Sequence, residues 1–323
     1  MSEEIKLVLA TADDAKVIHQ MQYEAFLPLY EKYHDDETSP AKESLDTVVW
    51  KITQPDSEYW LIQSDCKNVG AVRVVKDKNT TTYNRNCVKW ISPIFILPKF
   101  QNRGIGQLVI KKIFEAYPEA ITFRLATIKQ ETGNCYLYEK CGFVRTLKEH
   151  IVNEKMTLVY YEKSNVRIRR FEDKDAENIS NLIVRNFMEV NSRDYGITAM
   201  KELAQSHDAA WVKQVAGYAH MYVFEWKNQI IGVGSISSYW GSETESILLT
   251  IFVLPEFHGN GIGRTIIRTL ESDELFTRAS RIEIPASITG VEFYRRFGYD
   301  FKNGIKELDD EGQYRLEKFR KVE

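Results

Sequence analysis

Apolar positions along this chain switch between two rhythms. EYWLIQS (58–64), VGAVRVVKD (69–77) and MYVFEWKNQIIGVGSISS (221–238) alternate or run apolar in the manner of half-buried or buried strands. Residues 13–27 and 174–190 instead open with acidic residues and space their apolar positions three and four apart, which predicts amphipathic helices. Helix-rich stretches follow, including ESLDTVVWKI (43–52) and AAWVKQVAGYA (209–219). An apolar strand ending in Leu-Pro comes next, then a glycine turn and a helix (105–116, 262–272), a further strand (121–128, 280–285), a short helix bearing a tyrosine, and a terminal strand. The pattern predicts an α/β fold with a mixed central sheet and helices on both faces.

That series occurs twice. IFILPKF (94–100) aligns without a gap on IFVLPEF (251–257), and YLYEKCGF (136–143) on EFYRRFGY (292–299). The openings IKLVLATADDA (5–15) and VRIRRFEDKDA (166–176) match, as do the ends MTLVYYEK (156–163) and YRLEKFRK (314–321). Glycine turns at Gly104 and Gly261 set the repeat at 157 residues (104 to 261), far too long for a solenoid. The chain therefore reads as a tandem duplication, with domains 1–163 and 166–323 and EKSN (162–165) as the seam. A length of 323 residues suits two domains.

With 43 basic and 46 acidic residues the net charge is −3, so no basic field favours nucleic acid. The most apolar stretch, ILLTIFVL (247–254), is far shorter than the ~20 residues of a membrane span. MSEEIKLVLATADDA is acidic where a signal peptide is basic, so a cytoplasmic protein is expected. Cys66, Cys87, Cys135 and Cys141 lack CxxC spacing and a histidine cluster, which points to reduced, partly buried thiols and no metal site. His19, His207 and His220 have no partner at a readable spacing and read as solvated or capping groups.

FQNRGIGQ (100–107) and FHGNGIGR (257–264) place bare backbone at a helix entrance. The first N–H groups of a helix lack partners and carry partial positive charge, and glycine lets several of them converge on one anion. A strand feeding such a turn is a phosphate site by physics. A dinucleotide loop needs a third glycine where this chain has Val109 and Ile266, and a Walker loop needs Gly-Lys-Ser/Thr, which neither copy has. The remaining pattern, Gln/Arg-x-x-Gly-x-Gly/Ala, fits QNRGIG (101–106) throughout and HGNGIG (258–263) except at His258.

This loop resembles the pyrophosphate loop of the GCN5-related N-acetyltransferases. NCYLYEKCGF (134–143) resembles the same family's Asn-x-x-x-Tyr-Glu-Lys-x-Gly-Phe segment, and VEFYRRFGY (291–299) its close variant. The resemblance covers essentially the whole chain and implies acetyl-CoA as co-substrate. It places the cofactor on Gln101, Asn102, Arg103, Gly104, Ile105 and Gly106 in the first copy, and on His258, Gly259, Asn260, Gly261, Ile262 and Gly263 in the second. Ile96 and Val253 offer backbone groups to pantetheine, and Asn134 is a further cofactor contact whose counterpart is Gly290. Tyr138 and Tyr294 match the family's thiolate-protonating tyrosine, a phenol that stays protonated at neutral pH.

An amine acceptor with a pKa near 10.4 needs a base or a water relay. Glu245, just before ILLTIFVL, is the candidate in the second copy. The first has Val88 nearby and Glu24 at a distance; a solvated surface carboxylate is the competing explanation for both acids. The leading expectation is acetyl transfer to a primary amine of a small molecule or peptide, with domain one active and CoA-binding and domain two a binder or a second catalyst. The alternatives are a CoA-binding protein with one degenerate domain and a protein-lysine or N-terminal acetyltransferase. A homodimer is compatible with each.

Overall fold

The computed structural model describes residues 4–77 and 88–320; Cys87 lies outside them. The chain divides into two compact units, Met1–Asn165 and Val166–Glu323, each with a seven-stranded sheet among the described residues.

The first unit runs β1 (Ile5–Leu9), α1 (Ala15–Tyr33), α2 (Leu45–Thr53), β2 (Ser57–Ser64), β3 (Lys67–Lys76), β4 (Val88–Ile96), α3 (Ile105–Ala116), β5 (Thr122–Ile128), α4 (Thr132–Lys140), β6 (Val144–Asn153) and β7 (Met156–Ser164). Its strand order is β1-β2-β3-β4-β5-β7-β6, antiparallel except for β4 and β5. Alternation along β3 sends Val72 and Val74 into a core with α3, whereas Ala71 faces the α1/α2 side with Ile18, Val48 and Phe95. Both faces are therefore covered. Four apolar residues of α3 (Ile105, Val109, Ile110 and Ile113) are buried, each contributing roughly 2 kcal/mol. The α2 helix starts at Ser44, whose hydroxyl accepts the Thr47 N–H at 3.2 Å.

The second unit repeats this plan: β8 (Arg167–Arg170), α5 (Ala176–Asn186), α6 (Ser192–Tyr195), α7 (Ile197–Ser206), α8 (Ala209–Tyr218), β9 (His220–Trp226), β10 (Gln229–Ser238), β11 (Glu245–Val253), α9 (Ile262–Glu271), α10 (Glu274–Thr277), β12 (Arg281–Ala286), α11 (Val291–Arg295), β13 (Asp300–Phe301) and β14 (Tyr314–Phe319). The order is β13-β14-β12-β11-β10-β9-β8, with β11 and β12 the parallel pair. The first hairpins also match. Asp65 and Cys66 turn β2 into β3, and Lys227 and Asn228 turn β9 into β10, all four at positive φ, as a two-residue hairpin turn of the primed type requires. Cys66 is thus exposed rather than partly buried.

Two further expectations shift. The first helix, expected over 13–27, continues through Pro28 to Tyr33, because Phe26 packs on Phe95 and the Tyr33 phenol bonds Glu131, contacts that offset the backbone bond proline forfeits. Its counterpart ends at Asn186, passes through a π-turn (Phe187–Asn191) and breaks at Gly196 (φ +82°). Second, residues 162–164 of the expected seam belong to β7, where they pair with β5. No helix among the described residues is long and apolar enough to cross a membrane.

Candidate acyl-CoA site in each unit

Each parallel pair is joined only at its beginning. Val88–Trp90 pair with Thr122–Arg124, and Glu245–Ile247 with Arg281–Glu283. Beyond Trp90 and Ile247, β4 and β11 each run six residues further without a rung to the parallel neighbour. On their other side both strands carry a bulge, between Val72 and Val74 against β4 and between Val233 and Ser235 against β11. Pro93 and Thr250 (φ +53°) occupy equivalent places there, and the Ser92–Pro93 peptide is cis. The Ser92 carbonyl is met by the Arg73 guanidinium at 3.3 Å, and its counterpart on Leu249 by the Ser235 hydroxyl at 3.0 Å. A splayed strand end with unpaired backbone can accept an extended ligand as a sheet accepts a strand.

At the end of that strand the peptide plane has a fixed direction. The Leu97 N–H bonds the Val69 carbonyl at 2.8 Å, so the Ile96 carbonyl points away from β3 and into the splay. In the second unit the Leu254 N–H bonds Ile231 at 2.9 Å and turns Val253 the same way. Opposite these residues stand Gly70 and Gly232. A Cβ on Gly70 would lie 2.2 Å from the Phe95 carbonyl oxygen, so only glycine admits β4 this closely. The sequence signal for this repeated glycine is the pair VGAV and IGVG, which the motif reading passes over.

The turn then winds through two left-handed residues in each unit: Asn102 (φ +60°) and Gly104 (φ +78°), Gly259 (φ +77°) and Gly261 (φ +85°). Alternating handedness turns successive N–H groups toward one concavity. Among the described residues nothing accepts the N–H of Gly104, Ile105 or Gly106, nor that of Gly261, Ile262 or Gly263. The space before Gly104, Gly259 and Gly261 is open, since an added Cβ meets nothing within 4 Å. Arg103 is exposed, stacked on Phe100 with Nη2 on the Lys99 carbonyl, whereas its counterpart Asn260 is buried.

Gly106 and Gly263 serve a further purpose beside bare backbone. A Cβ at Gly106 would lie 3.1 Å from Leu137, and one at Gly263 3.0 Å from Phe293. These glycines let α3 and α9 approach the helix that carries the tyrosine, directly beside Tyr138 and Tyr294. Both tyrosines are buried, 7% and 8% exposed, and neither hydroxyl has a hydrogen-bond partner among the described residues. Burial pushes the Tyr138 phenol up, with Cys141 and Cys135 adding to it, and burial alone does the same for Tyr294. Asn134 is exposed on the first turn of α4, its side chain bonded to no described residue. Its counterpart Gly290 has no room for a side chain: a Cβ would meet Ser287 Oγ and the Tyr294 ring, both at 3.1 Å.

Glu245 is ion-paired rather than free. It opens β11 at the closed end of the splay, eight residues before Val253, and its carboxylate receives Arg281 Nη1 at 2.8 Å. Arg281 also binds Glu283 and Glu317, so Glu245 is a member of an ion network at that end of the strand. His220 departs from expectation too: its Nδ1 lies 2.9 Å from the buried Asp273, which also takes the Tyr222 hydroxyl at 2.6 Å. A pairing across 53 residues leaves no local signal. His19 contacts the Glu43 carbonyl at 3.0 Å, and His207 holds the Leu203 carbonyl at 2.8 Å while stacking on Trp211. The acidic Glu131, which no motif marks, receives Lys32 Nζ at 2.7 Å and the Tyr33 hydroxyl at 2.6 Å. Among the described residues no three His, Cys, Asp or Glu are grouped to hold a metal.

Two family models match the chain: the acetyltransferase (GNAT) family over residues 19–143 and the acetyltransferase (GNAT) domain over residues 191–310. No curated protein matches the sequence. Similar solved structures include an acetyltransferase from Thermus thermophilus, 16% identical, covering 50% of this chain and 98% of its own, with a TM-score of 0.40. The PaiA N-acetyltransferase of Thermoplasma acidophilum, in complex with coenzyme A, is 14% identical over 48% of this chain and 99% of its own, with a TM-score of 0.42. Spermidine N-acetyltransferase from Vibrio cholerae, in complex with CoA and spermine, is 17% identical over 50% of this chain and 95% of its own, with a TM-score of 0.40. With one family match in each half, the chain belongs to the GNAT acetyltransferase family as a tandem of two GNAT domains.

Proposed function

We propose that the protein is an acetyl-CoA-dependent N-acetyltransferase that moves an acetyl group to a primary amine of a small molecule or peptide, by direct attack while both reactants are held together. Acetyl-CoA would supply the activated acyl group as a thioester. The observation that carries the reading is the repeated loop, with three unused N–H groups in each unit above a splayed strand whose last carbonyl faces the gap. Gly104–Gly106 and Gly261–Gly263 would hold the pyrophosphate, and Ile96 and Val253 the pantetheine amides. Holding the reactants side by side supplies much of the acceleration. Tyr138 and Tyr294 would donate the proton that the departing sulfur takes. Since Glu245 is engaged at the closed end of the splay, loss of the amine proton falls to water.

The two units are not equivalent. Asn134 remains available to the cofactor in the first, whereas Gly290 offers no side chain in the second. This favours a first domain with the fuller contact set and a second that relies chiefly on its backbone donors. Calorimetric titration of acetyl-CoA into the intact protein, beside Gly104→Glu and Gly261→Glu, tests the reading. Each variant puts a β-carbon at positive φ and a negative charge before the nest. Two sites falling to one in either variant supports two working loops. Loss confined to Gly104→Glu makes the second domain a degenerate copy, and no binding to the intact chain sinks the proposal.

A further inference from the structure

We infer that Gln101 and His258 are positioning residues that clamp the last carbonyl of the pantetheine strand, and that His258 makes acyl-CoA binding by the second domain tighten as pH falls. The inference rests on the reading of the loops as acyl-CoA sites. Gln101 Nε2 donates to the Ile96 carbonyl at 2.8 Å, and His258 Nε2 lies 2.8 Å from the Val253 carbonyl. The second loop departs from the family pattern at this one position, yet the contact is the same to the distance quoted. Both carbonyls face the splay, because the following N–H groups of Leu97 and Leu254 are bound on the opposite side. The peptide plane is thus held at both ends: one lone pair of the carbonyl is used and the other is aimed across the gap.

A carbonyl only accepts, so His258 must carry its proton on Nε2. Protonation of Nδ1 leaves that hydrogen bond in place and adds a positive charge at the mouth of the anion nest. Gln101 cannot do this. Charged groups around His258 include Glu256, two residues earlier, which receives Arg185 Nη1 from α5 at 2.9 Å. Glu189 shares Arg185, and Arg264 and Arg268 stand on α9. Burial raises the Glu256 carboxyl, but the Arg185 hydrogen bond outweighs it and holds the group below the usual carboxylate range. Glu256 therefore stays ionised across the pH values used below.

The test measures acetyl-CoA dissociation constants and, where turnover is seen, KM and kcat, at pH 5.5, 6.5 and 8. The second domain is read in full-length Gly104→Glu protein and the first in Gly261→Glu protein. The 3′-phosphate of the ligand titrates in the same range, so the first domain reports that shared contribution. Relative to it, the second domain should tighten about fivefold from pH 8 to 5.5, a charge-assisted gain of the ordinary size. His258→Ala should weaken binding about fivefold at pH 8 and remove the extra pH dependence, with kcat changed less than KM. His258→Gln should restore binding at pH 8 without the dependence, and Gln101→His should transfer the dependence to the first domain. Binding by His258→Ala that matches the parent at all three pH values overturns the inference alone. Binding in the Gly261→Glu protein but none in the Gly104→Glu protein removes the acyl-CoA reading for the second domain, and the inference with it.

Discussion

A buried phenol with no hydrogen-bond partner keeps its proton across the physiological range, and among the described residues Tyr138 and Tyr294 are both in that state. Such a group is ready to donate when negative charge develops within reach, whereas a bonded phenol must first give up a partner. Replacing Tyr138 by phenylalanine keeps the ring and its packing on Phe143 and Tyr161 and removes only the oxygen. The expected result is a fall in kcat of about 10² or more with acetyl-CoA affinity unchanged within about twofold. A loss of affinity with kcat preserved would make the tyrosine a packing residue. At this scale the sequence is readable where one residue type has one use. Gly104 and Gly261 occupy backbone that disfavours side chains, and a strand, a turn and a helix in succession announce them. Gly106 and Gly263 carry a second, packing duty that the motif does not mark, because Leu137 and Phe293 meet them only in space.

Helix α3 and helix α9 each end in a polar staple to the sheet, and the staples are built in opposite senses. In the first domain Tyr117, just past α3, donates to Glu58 at 2.6 Å and accepts from the Trp60 indole at 2.8 Å. In the second the acid is on the helix side, where Asp273 takes Tyr222 and His220 from β9. Repeats that keep a contact while exchanging its chemistry defeat any position-by-position reading, which is why neither staple is legible in the sequence although both helices are. Burial raises the Asp273 carboxyl, yet bonds from Tyr222, the Leu275 N–H and His220 outweigh it and leave the group below its ordinary value. A carboxyl depressed on folding stabilises fully above its unfolded pKa of about 3.9, and that contribution is lost as pH falls through the folded value. Asp273→Asn should therefore cost about 1–3 kcal/mol near neutrality, with the gap narrowing as pH falls below the unfolded value. Thermal unfolding of the full chain from pH 7 to 3, followed for both forms, checks this. A constant difference at every pH would show that the loss comes from shape rather than charge.

The repeat announces the plan of the molecule directly: two copies of one α/β domain, each with a mixed sheet. The place where one unit hands over to the next is less legible, because EKSN looks like a polar linker and composition cannot show that a strand continues through it. Ser164, Lys163 and Glu162 pair with Thr122, Phe123 and Arg124, and Glu162 Oε1 receives Arg124 Nε at 2.9 Å. Arg124 also holds the buried Asp77 at 2.6 Å, so it ties β5 to two other segments. Asn165 belongs with them, its N–H on the Ile121 carbonyl at 2.8 Å and its side-chain amide on Ala120 at 3.1 Å. A fragment ending at Asn165 keeps all of these contacts and should unfold in one cooperative urea transition. One ending at Tyr161 strips three rungs to β5 and one to β6 and leaves a largely buried arginine short of a carboxylate, a loss of at least about 3 kcal/mol. Its midpoint should fall by roughly 1–3 M urea, given slopes of about 1–3 kcal/mol per molar. Equal midpoints for the two fragments would mean that residues 162–165 are a linker after all, as their composition alone suggests.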